Sequence, residues 1–271
     1  MVSSASYDSK NKDFTFGFCD GIFFKPDGTK VFIVESGALT VKQFTLSTPW
    51  DISTATSPQS QAFGITSLQG LFFNPDGTKM YLADAFSTLI KRYSLSSAWD
   101  VRTATADITD TMSVATQTTN PTSIFINSNG TKLYVATQNA GVGKVYQYTL
   151  STAWSLSGGS YASKSLTTTT QEPGTNGLFI RPDGTKLYIV GDSSDKVWRY
   201  TMSTPEDIST ATSDSDSFSV ATQESDARSI FFKPDGTKFY VSGYTYKGYQ
   251  YSSGESWSTS PAITSGMLLC F

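Results

Sequence analysis

Phe23-Phe24-Lys25-Pro26-Asp27-Gly28-Thr29-Lys30 decides the architecture, because the chain repeats it. It returns as Phe72-Phe73-Asn74-Pro75-Asp76-Gly77-Thr78-Lys79 and as Phe125-Ile126-Asn127-Ser128-Asn129-Gly130-Thr131-Lys132. The last two copies are Phe179-Ile180-Arg181-Pro182-Asp183-Gly184-Thr185-Lys186 and Phe231-Phe232-Lys233-Pro234-Asp235-Gly236-Thr237-Lys238. The turn glycines 28, 77, 130, 184 and 236 stand 49, 53, 54 and 52 residues apart, and the copies fill the chain. In each copy an aromatic and β-branched run enters a turn in which Pro fixes φ and Gly supplies a positive φ, so each reads as a hairpin.

A second strand follows every turn, as in Lys79-Met80-Tyr81-Leu82-Ala83, and then a third, as in Val197-Trp198-Arg199-Tyr200-Thr201-Met202. A Ser/Thr-rich connection comes next, of which Ser47-Thr48-Pro49-Trp50-Asp51-Ile52-Ser53-Thr54-Ala55-Thr56 is one copy. A looser fourth strand, such as Phe218-Ser219-Val220-Ala221, completes the unit. Four-stranded units of this length are propeller blades. Both faces of the first strand are apolar, as a sheet between two neighbouring sheets requires. The sequence therefore predicts an all-β, five-bladed β-propeller with four antiparallel strands per blade, formed by residues 1–271 as one domain.

The ring needs a closing strand, because the last repeat runs out after Lys247-Gly248-Tyr249-Gln250-Tyr251. The N-terminal run Phe14-Thr15-Phe16-Gly17-Phe18 is the expected outer strand of the last blade, which leaves no sheet edge open. Residues 258–271 are then a C-terminal tail, or an extra strand through Gly266–Phe271 that competes for the same slot. Cys19 and Cys270 could pair only if the two ends meet.

Composition excludes several chemistries. There is no histidine, so the commonest general base and imidazole metal ligand are absent. Charged residues are 16 % and the net charge is −3, which argues against nucleic acid as a partner. The start, Met1-Val2-Ser3-Ser4-Ala5-Ser6, has neither the basic nor the apolar region of a signal peptide, and no apolar run is long enough to insert in a membrane. Neither a metal nor a cofactor is expected.

Repeated phrases map to one face of a propeller and varying loops to the other, where function is more often found. At the mouth of the channel on the varying face, just before each innermost strand, stand Asp20, Gln69, Thr122, Asn176 and Arg228. These are the candidate ligand-binding ring. Carboxylates that fall near the same face are Glu35, Asp84, Glu172, Asp192, Asp195, Glu224 and Asp226. Asp214 and Asp216 read as loop residues. Trp50, Trp99, Trp154 and Trp257 recur at the outer connection, with Glu206 in the fourth copy. They are either packing plugs or stacking platforms for sugar rings.

The hairpin phrase, Tyr146-Gln147-Tyr148-Thr149-Leu150-Ser151-Thr152 and Ser47–Thr56 together resemble β-propeller repeats of bacteriophage structural and tail-associated proteins and of bacterial surface proteins. Those repeats are distantly similar to NHL and YVTN repeats. The resemblance covers residues 14 to about 257 and carries no catalytic residue. It implies a non-enzymatic module of a virion or surface appendage, located on the particle or cell exterior, whose partners are other virion or appendage proteins or a host-surface glycan. The alternatives are a lectin-like propeller and a glycoside hydrolase using channel carboxylates such as Asp20.

Overall fold

The computed structural model describes residues 1–14 and 17–257. After β1 (Ser6–Asp13), blade 1 is β2 (Cys19–Phe24), β3 (Lys30–Glu35), β4 (Thr40–Leu46) and β5 (Ala55–Ala62). Blade 2 is β6 (Leu68–Phe73), β7 (Lys79–Asp84), β8 (Leu89–Leu95) and β9 (Ala104–Ser113). Blade 3 is β10 (Pro121–Ile126), β11 (Lys132–Asn139), β12 (Val142–Thr149) and β13 (Ser160–Thr167). Blade 4 is β14 (Thr175–Ile180), β15 (Lys186–Gly191), β16 (Lys196–Met202) and β17 (Ala211–Ser219). Blade 5 is β18 (Ala227–Phe232), β19 (Lys238–Gly243) and β20 (Lys247–Ser252), completed by β1. The five-bladed propeller is thus the observed fold.

The N-terminal strand closes the ring, but not with the residues expected. β1 pairs with β20 from Ser6–Ser252 to Asp13–Lys247. The run 14–18 instead links this outer strand to the innermost strand of blade 1. Phe14 is buried against Phe44, with ring centroids 4.9 Å apart, and residues 15 and 16 lie outside the described ones. The physical reason is exposure. An outer strand has one solvated edge, and β1 reads Ser-Tyr-Asp-Ser-Lys-Asn-Lys-Asp with no residue fully buried. The other outer strands are equally polar, which is why an aromatic run was the wrong signal. Asp214 and Asp216 likewise sit within β17 rather than a loop. The C-terminal run 258–271, including Cys270, lies outside the described residues; Cys19 is buried and forms no disulfide among the described residues.

Two layers line the channel. Phe23, Phe72, Phe125, Phe179 and Phe231 meet edge to face around the axis, each centroid 5.1–5.7 Å from the next. Two residues earlier each strand carries Gly or Ser: Gly21, Gly70, Ser123, Gly177 and Ser229. Here the strands approach one another so closely that a Cβ at Gly70 or Gly177 would lie 2.9 Å from the backbone of Ser123 or Ser229. Small residues at this position are therefore a condition of drawing five strands together.

Every seam between blades has a latch. The Tyr81 hydroxyl donates to the Trp154 carbonyl (2.6 Å), Tyr134 to the Glu206 carbonyl (2.8 Å), Tyr188 to the Glu255 carboxylate (2.7 Å) and Tyr240 to the Trp50 carbonyl (2.6 Å). Blade 1 has Phe32 at the tyrosine position, and there the Lys30 ammonium donates to the Trp99 carbonyl (2.8 Å).

Candidate functional site

The residues of the predicted ring behave differently. Thr122 donates to the carbonyl of Thr175 (3.0 Å) and is spent on joining blades 3 and 4. Gln69 is half-buried. Asp20, 3 % exposed, and Asn176, 2 % exposed, are enclosed, and neither makes a well-aligned hydrogen bond through any side-chain oxygen or nitrogen. Native interiors rarely leave such groups without a partner unless water, a ligand or catalysis uses them.

Arg228 anchors the mouth beside Asp20. Its guanidinium pairs with Asp226 (Nε to Oδ1, 2.6 Å) and Asp192 (Nη2 to Oδ2, 3.1 Å) and lies 4.2 Å from the ring centroid of Tyr244. Tyr244 stacks in turn on Phe18, at 3.9 Å between centroids. Gln138 of blade 3 donates to Asp192 (3.4 Å), and Asp195 accepts from the Ala227 amide (3.4 Å). Burial pushes the Asp20 carboxyl above the usual carboxylate range, and the negative Asp226 adds to the shift, while Ser36 and Arg228 oppose it without cancelling it. Burial also raises Asp195. The result is a desolvated carboxyl beside a fixed cation, which binds a proton more readily than an exposed carboxylate does.

The remaining carboxylates of this face staple loops. Glu35 pairs with Lys42 (2.7 Å) and Asp84 with Lys91 (2.8 Å). Glu172 accepts the amides of Gly174, Ser193 and Ser194 at 3.0–3.1 Å, and Glu224 accepts those of Asp226 (3.1 Å) and Thr245 (3.2 Å). Both glutamates are fully buried under a turn, and burial raises their pKa values, making them weaker acids despite those bonds. They hold the loops on which Asp192 and Asp226 are displayed.

The tryptophans are plugs. Trp50, Trp99, Trp154 and Trp257 each press on the glycine of their own hairpin turn, where any added Cβ would fall inside the indole. The amides of Trp50 and Trp99 donate to the carbonyls of Gly28 and Gly77 (3.0 Å each). Glu206 does the same at Gly184 (2.8 Å). Trp50, Trp99, Trp154 and Glu206 all hold a φ of 62–65°, so the backbone conformation recurs even where the indole is lost. Sequence reasoning missed Phe18, Tyr244 and the pairing of Asp192 with Arg228. The 2.0-residue period of strands gives no signal for residues gathered from separate loops.

Comparison with known proteins gives the family context. Residues 53–244 match the family described as lactonase, 7-bladed beta-propeller. No curated protein matches. Among solved structures, a functionally unknown protein from Desulfotomaculum acetoxidans DSM 771 superposes at a TM-score of 0.50 with 15 % identity, covering 83 % of this chain and 62 % of that one. A protein from Bacteroides uniformis ATCC 8492 with the provisional name 6-phosphogluconolactonase superposes at 0.52 with 15 % identity, covering 81 % and 62 %. Its counterpart from Bacteroides fragilis NCTC 9343, with the same provisional name, gives 0.52 and 15 %, covering 81 % and 61 %. This chain thus spans about three-fifths of their length, and identity at that level speaks for the propeller alone. The family match overturns the expectation of a non-enzymatic virion or appendage module. The resemblance behind that expectation rested on turn and core residues, which are shared by propellers of any function.

Proposed function

The chain belongs to the lactonase β-propeller family, and on that premise we propose that it hydrolyses a lactone at the mouth of its channel, with Asp20 as the proton-transferring group. The observation that carries the reading is the buried Asp20 carboxyl, held above its usual range and without an aligned hydrogen bond, next to the fixed Arg228 guanidinium. Asp20 takes a proton from water as the water oxygen attacks the ring carbonyl carbon. The ring C–O bond then breaks, and the same proton passes to the departing alkoxide, giving the open hydroxy acid. The cation of Arg228 and the unsatisfied amide of Asn176 are the groups available to the developing oxyanion. A carboxyl base also fits a chain without histidine.

The Bacteroides proteins carry a name that refers to a phosphorylated sugar lactone. The mouth here sets Asp20, Asp192 and Asp226 around Arg228, whose charge is already matched by two of them. A phosphate dianion would meet net negative charge, so the proposed substrate is an uncharged lactone. A pH-stat assay of a neutral aldonolactone beside a phosphorylated one tests this. Neutral lactone should be opened faster than background, and Asp20→Asn should lower kcat/KM by about 100-fold or more. Hydrolysis of neither lactone would refute the reading.

A further inference from the structure

On the other side of the glycine/serine layer, the channel opens toward the hairpin turns as an apolar cup of ≈ 190 Å³. Its wall is the five-phenylalanine ring, and Trp99, Trp154, Pro26, Pro75 and Pro182 surround the opening. Its charged and amide side chains are committed to the protein. Asn127 accepts from the amides of Thr131 and Lys132 (2.9 Å each) and donates to Glu206 (3.1 Å), which also holds Lys132 (2.9 Å). Asn74 accepts from the Lys79 amide (2.8 Å), and Arg181 pairs with Asp183 (2.8 Å). Deeper in, Ser229 accepts the Ile22 amide (3.0 Å).

We propose that this cup is a second binding site, taking a single uncharged aromatic ring of about the size of toluene. Volume and chemistry agree on this occupant. An apolar cavity of about 150 Å³ lined by aliphatic and aromatic side chains stays dry and admits benzene. The cup is slightly larger and richer in aromatic rings, whose edges and faces both favour another ring. A charged ligand would find its nearest counter-ions already paired and would lose its hydration without return. The glycine/serine layer lies between the cup and the Asp20 mouth, and the cup is lined by none of the mouth residues, so the site does not depend on the lactonase reading.

Calorimetric titration of the full chain with toluene, and separately with benzoate, tests the proposal. Toluene should bind saturably at one site, and benzoate at least 10-fold more weakly. Phe72→Trp adds bulk to the wall; if its far-UV spectrum and cooperative melt are retained, toluene affinity should fall at least 10-fold. The wild-type contrast between toluene and benzoate stands even if that variant fails to fold. Absence of saturable toluene binding to the full chain overturns the assignment, whether another part of the chain or a second copy fills the cup. Equal binding of benzoate, or undiminished affinity in folded Phe72→Trp, overturns it as well.

Discussion

Asp20→Asn is expected to stabilise the fold while it lowers turnover. In the native chain the carboxyl is 3 % exposed and has no aligned hydrogen bond, and burial holds it above its ordinary range. The folded chain therefore binds more protons than the unfolded one between the unfolded carboxyl value, about 4, and the raised folded value. Stability falls as pH rises through that window and stays lower above it, because the folded state then encloses an incompletely compensated charge. An amide of the same shape is also unpartnered there, but it never carries charge. Removing the penalty of an ill-paired buried group is worth about 1–3 kcal/mol, which in a chain of this size is a rise of roughly 2–4 °C per kcal/mol in Tm. The assay is thermal or urea unfolding of both proteins at several pH values from 3.5 to 8. The gain should vanish toward pH 3.5 and grow as pH rises to 8, alongside the loss of lactone hydrolysis. A destabilised variant at pH 8, or a gain that does not change with pH, would refute the reasoning. Function maintained at the expense of stability is the pattern expected of an active carboxyl.

Two structural predictions accompany it. Gly77→Ala should cost at least 2 kcal/mol in urea unfolding, since φ is +72° and the new methyl would collide with Trp99, whereas an alanine at Gly37 meets nothing within 4 Å. Asp216→Ala should lower stability by about 1–3 kcal/mol at neutral pH, because Asp216 accepts the Val2 and Ser3 amides at 2.8 Å and pairs with Arg199 at 3.0 Å. Burial opposes the shift, but the Ser3 and Val2 bonds and Arg199 hold its carboxyl below its usual value, so wild type and variant should converge as pH falls through that value.

What was legible follows from how strongly each feature constrains side chains. The hairpin turns were readable because positive φ at Gly28 and its four equivalents admits few residues. The glycine/serine layer was equally present in the sequence, two residues before each axial phenylalanine. It went unread because a small residue in a strand signals close approach only once the partner is known. The closing strand was misplaced because outer strands are chosen for solvation, and hydrophobicity points away from them. At the mouth, the repeat spacing aligned Asp20, Asn176 and Arg228, but it set them just before their strands, whereas each is the second residue of its innermost strand. Register could not show that Arg228 is neutralised by Asp192 from the preceding blade while Asp20 is left without an aligned bond.

The seams show how near-identical repeats still specify one order. In blades 1, 3 and 5 the third strand carries Gln43, Gln147 and Gln250, which accept the amides of Val101, Ile208 and Ile52 in the next blade (3.1 Å each). Those amides open a 3₁₀ turn capped by Asp100, Asp207 or Asp51, and Lys164 and Lys10 reach across to the latter two caps (2.5 Å each). In blades 2 and 4 the same position carries Arg92 and Arg199, balanced by Asp107 with Asp110 and by Asp214 with Asp216 on the outer strand. Asp110 receives the Ser157 amide (2.6 Å), and Asp216 receives the amides of the N-terminal 3₁₀ turn Val2–Ser4. An acidic outer strand thus meets a connection offering free amides, and a basic or amide-bearing one meets an aspartate cap. Exchanging blades would bring aspartate against aspartate, a like-charge contact that opposes any other arrangement. The N-terminal turn is therefore more than a filler for an open edge. It completes the blade-4 seam with free amides for Asp216, as the Ser157 amide does for Asp110 at the blade-2 seam.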